Sequence, residues 1–350
     1  MPILADQVDV VVGVDTHTDT HTAAVLSAAG AVLEQLTVPT DTAGAAVLVA
    51  WARQHSEGLR LAWVIDGARS HGVGLTRHLR AAGEQVIEAA RTSGQARRRG
   101  GKSDALDAVH AARTALAAPR VATPRADGDR EALRILHTCR RHYTDIRTAT
   151  VNLLKSLILT ADDDLRGHLR ALSTAQQIRH LASLTPTHPT DALTRVRHTQ
   201  LSVLAADIIA LNQTLSDNLA QIRALVTTTC PALLDQPGVG PISAAAALIA
   251  WSHHHRLHGE AAFAALAGVN PIPASSGRTT RHRLNRGGDR TLNAALHTIV
   301  ITRRRDHQPT RDYISRRTTE GKTTREINRC LKRYAARQLF RIMQASHTTT

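Results

Sequence analysis

The sequence predicts a mixed α/β domain at the beginning of the chain and a long, mainly helical remainder. Two observations predict this: apolar runs of strand length alternate with turn residues up to about residue 90, and apolar spacings of three and four prevail from about residue 129. The chain has 350 residues, of which 42% are hydrophobic, so it can bury a sizeable core in two or three domains. Because only 2% of the residues are aromatic, that core is aliphatic.

Three strands in succession are predicted first, from the runs VDVVVGVD, HTAAVLSAAG and AVLEQLTVPT. Asp41 is expected to cap a helix over AGAAVLVAWARQH. A strand (LRLAWVID), a helix (HGVGLTRHLRAAG) and a short strand (EQVIEAA) follow, and a further helix begins at Ser103. Because three strands precede the alternation of strand and helix, we expect a mixed sheet rather than a purely parallel one. This strand order is RNase H-like.

Residues 126–230 are predicted to be helical, and one segment carries an apolar stripe in heptad spacing with a polar break at Asn218. Two interpretations are open: a helix packed on its own domain, or a coiled coil between two subunits in which Asn218 fixes the register. The stripe consists of Leu201, Leu204, Ile208, Leu211, Leu215, Asn218, Ile222 and Leu225.

A third region begins at Pro231 and closes with a basic segment of helical pattern, REINRCLKRYAARQLFRIM. We therefore expect three domains, over residues 1–125, 126–230 and 231–350.

The chain is strongly basic, with a formal net charge of +15 and an isoelectric point near 11.1. This charge favours polyanionic partners, DNA or RNA before an anionic membrane surface, and it makes their binding salt-dependent. The low aromatic content excludes base stacking as the main means of holding nucleic acid. No apolar run of membrane-spanning length, signal peptide or disulfide framework is recognisable, so we expect a cytoplasmic, nucleoid-associated protein.

Four aspartates of the first domain are candidates for a metal site. Asp15 ends the first strand and Asp66 ends a later one, whereas Asp104 and Asp107 open a helix at positions i and i+3 and share a face. Four converging carboxylates can hold two Mg²⁺ ions about 3.5–4 Å apart, as in enzymes of phosphoryl transfer. For each acid alone, a structural role as a turn or cap residue is favoured over a catalytic one, and only the joint placement supports a catalytic interpretation. His17 and His21 could also bind metal, but a His-rich surface is the favoured interpretation.

A dense basic tract, ARRRGGK, directly precedes the aspartate pair. We interpret it as a contact to the phosphate backbone beside the metal site, and a solvated loop is the alternative. Its basic residues are Arg97, Arg98, Arg99 and Lys102.

The stretch QPGVGPIS resembles the hairpin of helix-hairpin-helix DNA-binding motifs. Gly238 and Gly240 permit a tight turn, and the N–H groups at the start of the next helix are available to a phosphate. A plain turn between two helices is the alternative.

A second basic stretch, PASSGRTTRHRLNRGGDR, places two serines ahead of several arginines. A serine hydroxyl attacks a phosphodiester only when it is activated, and guanidinium groups nearby would orient the phosphate and stabilise its charge. Chemistry alone favours a basic loop over a nucleophile. The residues concerned are Ser275, Ser276, Arg278, Arg281, Arg283 and Arg286.

Taken together, these segments resemble the DEDD-type insertion-sequence transposases, a family that includes the Piv and MooV DNA invertases and the bridge-RNA-guided serine recombinases. The resemblance covers nearly the whole chain and implies a RuvC-like N-terminal domain, a helical coiled-coil middle and a C-terminal transposase domain. It rests on GVDTHTDTHTAAV, VIDGARSHG, KSDALDA, PGVGPISAAAL, FAALAGVNPIPASSGRTTRHRLNRGGDRTLNAAL and GKTTREINRCLKRYAARQLF, which occur in the family's order.

The resemblance implies a DNA transposase in which Asp15, Asp66, Asp104 and Asp107 hold Mg²⁺ and Ser276 becomes transiently linked to DNA. It further implies a dimer or tetramer and a structured non-coding guide RNA. One residue departs from the family pattern, which usually has Glu at the position of Asp66. A RuvC-like nuclease without a covalent intermediate and a site-specific DNA invertase are the alternatives.

Overall fold

The computed structural model describes residues 3–90, 103–184, 191–274 and 282–346. The chain divides into two compact units, Met1–Arg125 and Ala126–Thr350. Each unit has its own apolar core.

The first unit is a mixed α/β domain with a five-stranded sheet among its described residues. Its elements are β1 (Val10–Thr16), β2 (Thr20–Ser27), β3 (Val32–Pro39), α1 (Thr42–Gln54), β4 (Leu61–Ile65), α2 (Val73–Ala81), β5 (Val86–Glu88) and α3 (Asp104–Leu116). The strand order is β3-β2-β1-β4-β5. The pairs β1–β2 and β2–β3 are antiparallel, whereas β1–β4 and β4–β5 are parallel. The predicted mixed sheet is confirmed, and it is consistent with an RNase H-like domain.

All residues of strand β1 are buried. Successive side chains point to opposite sides of the sheet, so β1 contributes to an apolar cluster on each side. Val10, Val12 and Val14 pack in the cluster that includes α1 and α2. Val11 packs in the other cluster, with Ala108 of α3. This two-sided burial explains why β1 reads as a continuous apolar run rather than an alternating one.

The predicted start of α1 is confirmed. Asp41 is its N-cap, and its side chain accepts a hydrogen bond of 2.7 Å from the backbone N–H of Gly44. A side-chain acceptor at this position satisfies one of the N–H groups that the first helical turn leaves free.

The second unit is mainly helical. Its elements are α4 (Asp129–Leu159), α5 (Asp163–Arg170), α6 (Thr174–Ala182), α7 (Ala192–Thr229), α8 (Pro241–Trp251), α9 (Glu260–Leu266), β6 (Ile272–Pro273), β7 (His282–Arg283), α10 (Arg290–Asp306), α11 (Gln308–Thr319) and α12 (Thr324–Ser346). Strands β6 and β7 form a short antiparallel pair. Within the described ranges, every helix is too short or too polar to span a lipid bilayer.

The main core of this unit contains residues that precede residue 230 in the sequence and residues that follow it. Leu133 of α4 and Ile222 of α7 belong to the same buried cluster as Trp251 of α8, Phe263 of α9 and Leu339 of α12. The long helices and the C-terminal helices are thus packed around one core. A separation into middle and C-terminal domains stays a prediction.

The apolar stripe of α7 packs within the same chain. Leu201 and Ile208 share a buried cluster with Leu154 of α4. The buried Asn218 donates a hydrogen bond of 3.1 Å from Nδ2 to the carbonyl oxygen of Leu136, also in α4. These contacts favour the first interpretation of the stripe, a helix packed on its own domain.

Candidate active site

Two strands of the first unit end side by side. The parallel register pairs Val14 of β1 with Ile65 of β4, so the next residues, Asp15 and Asp66, lie at the same edge of the sheet. The backbone N–H of Asp66 donates to the carbonyl oxygen of Val14 at 2.9 Å. The hydroxyl of Thr16 donates to the carbonyl oxygen of Asp66 at 2.7 Å. These bonds fix the ends of the two strands against each other.

Helix α3 lies directly on β1 at Gly13. A Cβ atom at Gly13 would lie 2.1 Å from the carbonyl oxygen of Ala108 and 2.9 Å from the Cβ of Ala112, so a larger residue is excluded unless the helix moves. The helix begins where the side chain of Ser103 accepts a hydrogen bond from the N–H of Leu106. A glycine on the strand and alanines on the helix therefore bring the first turn of α3 close to the end of β1.

Three side chains converge at this place. The Nε2 atom of His17 lies 3.1 Å from Oδ2 of Asp15 and 3.3 Å from Oδ1 of Asp104. One ligand atom from each residue lies within 4.8 Å of the other two. The Asp15 side chain is 11% exposed, whereas those of His17 and Asp104 are 48% and 49% exposed. We call these three residues the acidic cluster.

The electrostatics of the acidic cluster disfavour the ionised form of Asp15. Burial raises the pKa of the Asp15 carboxyl, His17 opposes this shift, and the negative charges of Asp107 and Asp104 add to it. Carboxylates that repel one another in this way are stabilised by a bound cation.

The residues present fit a divalent cation. Asp15 and Asp104 offer carboxylate oxygens, the ligands that Mg²⁺ and Mn²⁺ prefer, and His17 offers a nitrogen, which transition metals accept more readily than Mg²⁺ does. In the described part of the chain this group comprises two of the four predicted aspartates. Asp107 is half-buried and acts on Asp15 through its charge, and Asp66 is exposed beside the end of β1. Their roles as ligands stay predictions.

His17 is the member of the acidic cluster that the sequence favoured least. Its signal was the spacing of two residues from Asp15, because residues i and i+2 of an extended segment lie on the same side. The sequence did not show that Asp104 lies within reach of both.

The predicted arginines, lysine and serines fall into two groups. Arg283 and Arg286 are described, and both are exposed. The basic tract before α3 and residues 275–281, which we call the serine segment, lie outside the described residues. The predicted site residues concerned are Arg97, Arg98, Arg99, Lys102, Ser275, Ser276, Arg278 and Arg281.

The glycine turn before α8 is tightly packed on α10. Gly238 has a φ of +74°, and a Cβ there would lie 3.0 Å from the carbonyl oxygen of Ile299. Arg303 donates a hydrogen bond of 2.7 Å from Nε to the carbonyl oxygen of Pro237. Gly240 is the N-cap of α8, where no side chain caps the first turn. The geometry fits both the phosphate-binding interpretation and the plain turn.

Two family profiles match the chain. A profile described as a transposase, of the DEDD type of IS110, matches residues 12–161, and that of the transposase IS116/IS110/IS902 family matches residues 230–315. The first range contains the acidic cluster, and the second contains the glycine turn and the serine segment. No curated protein matches the chain. The chain therefore carries transposase domains of the IS110/IS116/IS902 family, and it is an enzyme that acts on DNA in transposition or recombination.

Proposed function

We propose that this protein is the transposase of an insertion sequence, and that it cuts and rejoins DNA strands with a serine nucleophile and an acidic, metal-binding site. The observation that carries the proposal is the acidic cluster at the edge of an RNase H-like sheet, inside the segment that matches DEDD transposases. The domains proposed for these two functions are residues 1–125 and 231–350, joined by the helices of residues 126–230.

Mg²⁺ is the proposed cation, in a two-metal arrangement held by Asp15, Asp66, Asp104 and Asp107. When bound, it would supply charge stabilisation at the phosphate and at the leaving oxygen. His17 lies within reach of both carboxylates of the acidic cluster, so it offsets their mutual repulsion and holds them in a fixed orientation. The carbonyl oxygen of Asp66 accepts a hydrogen bond from the hydroxyl of Thr16. This bond supports a position for the Asp66 side chain at the same edge of the sheet.

Ser276 is the proposed nucleophile. Its hydroxyl oxygen forms a bond to a DNA phosphorus as the bond from phosphorus to the leaving oxygen of the strand breaks, and the hydroxyl proton passes to that oxygen by way of a base. A hydroxyl of the strand to be joined then attacks the phosphoserine and releases the serine. Because one phosphodiester replaces another, the exchange needs no external energy source.

Basic residues would hold the substrate by its backbone, as expected for a chain with a net charge of +15. We also propose that the enzyme acts as an oligomer and takes its choice of DNA sites from a structured non-coding RNA. The proposed contacts are Arg97, Arg98, Arg99, Lys102, Gly238, Gly240, Arg278, Arg281, Arg283 and Arg286.

A recombination assay tests the proposal. A plasmid that carries the element's ends would be incubated with the protein, Mg²⁺ and RNA transcribed from the flanks of the gene, and the junctions would be sequenced. We expect Asp104→Ala to reduce product by about 100-fold or more. Asp163→Ala is the matched control, because Asp163 opens α5 as Asp104 opens α3 and its side chain is 88% exposed.

Wild-type activity in Asp104→Ala would contradict the proposal. The products separate the alternatives: excised and inserted DNA indicates a transposase, inverted DNA an invertase, and broken ends without joining a RuvC-like nuclease.

A further inference from the structure

The second unit contains a cavity of about 660 Å³, and Arg283 is the one residue of its lining that has a role in the proposed function. It is bounded by the segment from Gly268 to Pro271, by β7, by the end of α11 and by the first half of α12. We call it the α12 pocket. Its volume lies within the range of about 300–1,000 Å³ that is typical of small-molecule and cofactor sites.

The lining of the α12 pocket is strongly basic. Among its described residues the acidic one is Glu326, whose carboxylate accepts hydrogen bonds from the N–H and the hydroxyl of Thr323 at 2.9 and 2.8 Å. This carboxylate thus serves to cap the start of α12. The cationic residues that line the pocket are Arg283, Arg317, Lys322, Arg329, Lys332 and Arg333.

Some of these cations are held in place, whereas others are free for a ligand. Lys332 donates from Nζ to Oδ1 of Asn293 at 3.0 Å, and Arg333 donates from Nη1 to the carbonyl oxygen of Glu260 at 3.1 Å. Burial lowers the pKa of Lys332, and the positive charge of Arg329 lowers it further. In the described part of the chain, the side chains of Arg283, Lys322 and Arg329 have no ion-pair or hydrogen-bond partner.

An aromatic ring completes the lining. Tyr334 is 50% exposed and borders the pocket. It is braced from the side by Tyr313, whose ring is perpendicular to it at a centroid distance of 5.7 Å. The guanidinium groups of Arg316 and Arg317 lie 5.5 and 5.9 Å from the centre of the Tyr313 ring. A braced, exposed ring beside unpaired cations is the arrangement on which an unpaired base stacks while its phosphates meet positive charge.

We infer that the α12 pocket binds a single unpaired nucleotide of a nucleic-acid strand, with its base on Tyr334 and its phosphates at Arg283, Lys322 and Arg329. A paired base in a duplex does not fit this description, because both of its faces are already stacked. In the sequence, the segment that carries Ser276 connects β6 to β7, and β7 contributes Arg283 to the pocket. The inference rests on the proposed function only in taking nucleic acid as the ligand.

Binding measurements without divalent metal test this inference. Fluorescence anisotropy would follow labelled oligothymidylate, the matching oligouridylate and a duplex of equal length in EDTA. We expect Tyr334→Ala to weaken single-strand binding about tenfold and Tyr334→Phe to preserve it. Arg329→Ala should also lower the slope of log K against log salt by about 0.7, the contribution of one phosphate contact. Arg223→Ala, an exposed charge on α7, is the control for a general loss of charge.

A second measurement needs no substitution. A strand with one 5-iodouracil would be photocrosslinked to the wild-type protein, and we expect mass spectrometry to find the adduct at Tyr334. The strand that shows the Tyr334 dependence, DNA or RNA, identifies the source of the nucleotide.

The pocket assignment is overturned if Tyr334→Ala binds like wild type, if Arg329→Ala and Arg223→Ala lose affinity equally, or if the crosslinks lie elsewhere. A protein that shows the Tyr334 dependence but does not recombine DNA would contradict the proposed function and leave the pocket standing.

Discussion

At the scale of single residues, the acidic cluster depends on the environment of Asp15. Burial and the charges of Asp107 and Asp104 raise the pKa of this carboxyl against the effect of His17. A raised pKa means that the folded protein binds the proton more tightly than the unfolded chain does. The favourable contribution is therefore complete below the unfolded pKa of Asp and is lost as the pH rises through the folded pKa. At neutral pH without metal, the ionised carboxylate destabilises the fold.

The change Asp15→Asn removes this charge. We expect it to raise the melting temperature at neutral pH without divalent metal, and the advantage over wild type should vanish in acid, where Asp15 is protonated. We also expect the variant to lose the stabilisation by metal, which in wild type should be about 2.7 kcal/mol at a concentration 100 times Kd. Thermal unfolding followed by fluorescence, with and without Mg²⁺ or Mn²⁺, measures both effects.

Asp9→Asn is the control for this experiment. The hydrogen bonds and charge of Arg60 lower the pKa of Asp9 to about 2, so its ionised form favours the fold and the substitution should not raise the melting temperature. The response to metal should be unchanged. A rise with metal that persists in Asp15→Asn would contradict Asp15 as a ligand.

At the scale of elements, the seating of α3 on β1 positions the acidic cluster. The sequence predicted the strand, the helix and the aspartate pair, because periodicity and capping are local signals. It did not show that Gly13 is the contact point, because that contact joins residues about 95 positions apart in the chain.

We expect Gly13→Ala to destabilise the first unit by about 1–3 kcal/mol, since the added methyl group collides with the backbone of α3 at Ala108. Metal binding should weaken with it, because the first turn of α3 is displaced. Gly74→Ala is the matched control: Gly74 lies within α2 with open space around it, so the substitution should stabilise the protein by about 0.5–1 kcal/mol. Urea unfolding measures both, and an unchanged midpoint for Gly13→Ala would contradict the seating.

The pairing of α4 and α7 is the second case at this scale. A heptad stripe is satisfied equally well by a helix of the same chain or of another, so the sequence left both interpretations open. The bonds of Asn218 and Arg140 link the two helices of one chain: Arg140 donates to the carbonyl oxygen of Leu215 at 2.7 Å. The choice between the two interpretations thus depends on which chain supplies the partner helix, and the periodicity of the stripe does not encode this.

We expect Asn218→Ala to cost about 1 kcal/mol, because the hydrogen bond from its side chain to the carbonyl oxygen of Leu136 on α4 is lost, and to leave the oligomeric state unchanged. Urea unfolding and light scattering after size exclusion would measure the two. Gln221→Ala, at an exposed position of the same helix, should have little effect on either. A changed oligomeric state at unchanged stability would favour the coiled coil between subunits.

At the scale of the whole molecule, composition predicted the class of partner, and the order of elements predicted the mixed sheet. The shared core of the second unit was not predictable from the sequence, because its members are far apart in the chain. Leu133 of α4 and Leu339 of α12 are about 200 positions apart, and they pack in the same buried cluster. The α12 pocket is of the same kind, since its cations and Tyr334 come from segments that are separate in the sequence.

The proposed mechanism requires that the acids of the first unit and Ser276 serve one phosphoryl transfer. A trapping assay tests it directly: protein, element-end DNA, flank-derived RNA and Mg²⁺ are incubated, denatured and examined for DNA covalently linked to protein. We predict a linked species in wild type, Ser275→Ala and Asp163→Ala that is absent in Ser276→Ala and Asp104→Ala. Cleavage without a linked species, unchanged in Ser276→Ala, would contradict the claim and indicate a RuvC-like nuclease in which water attacks.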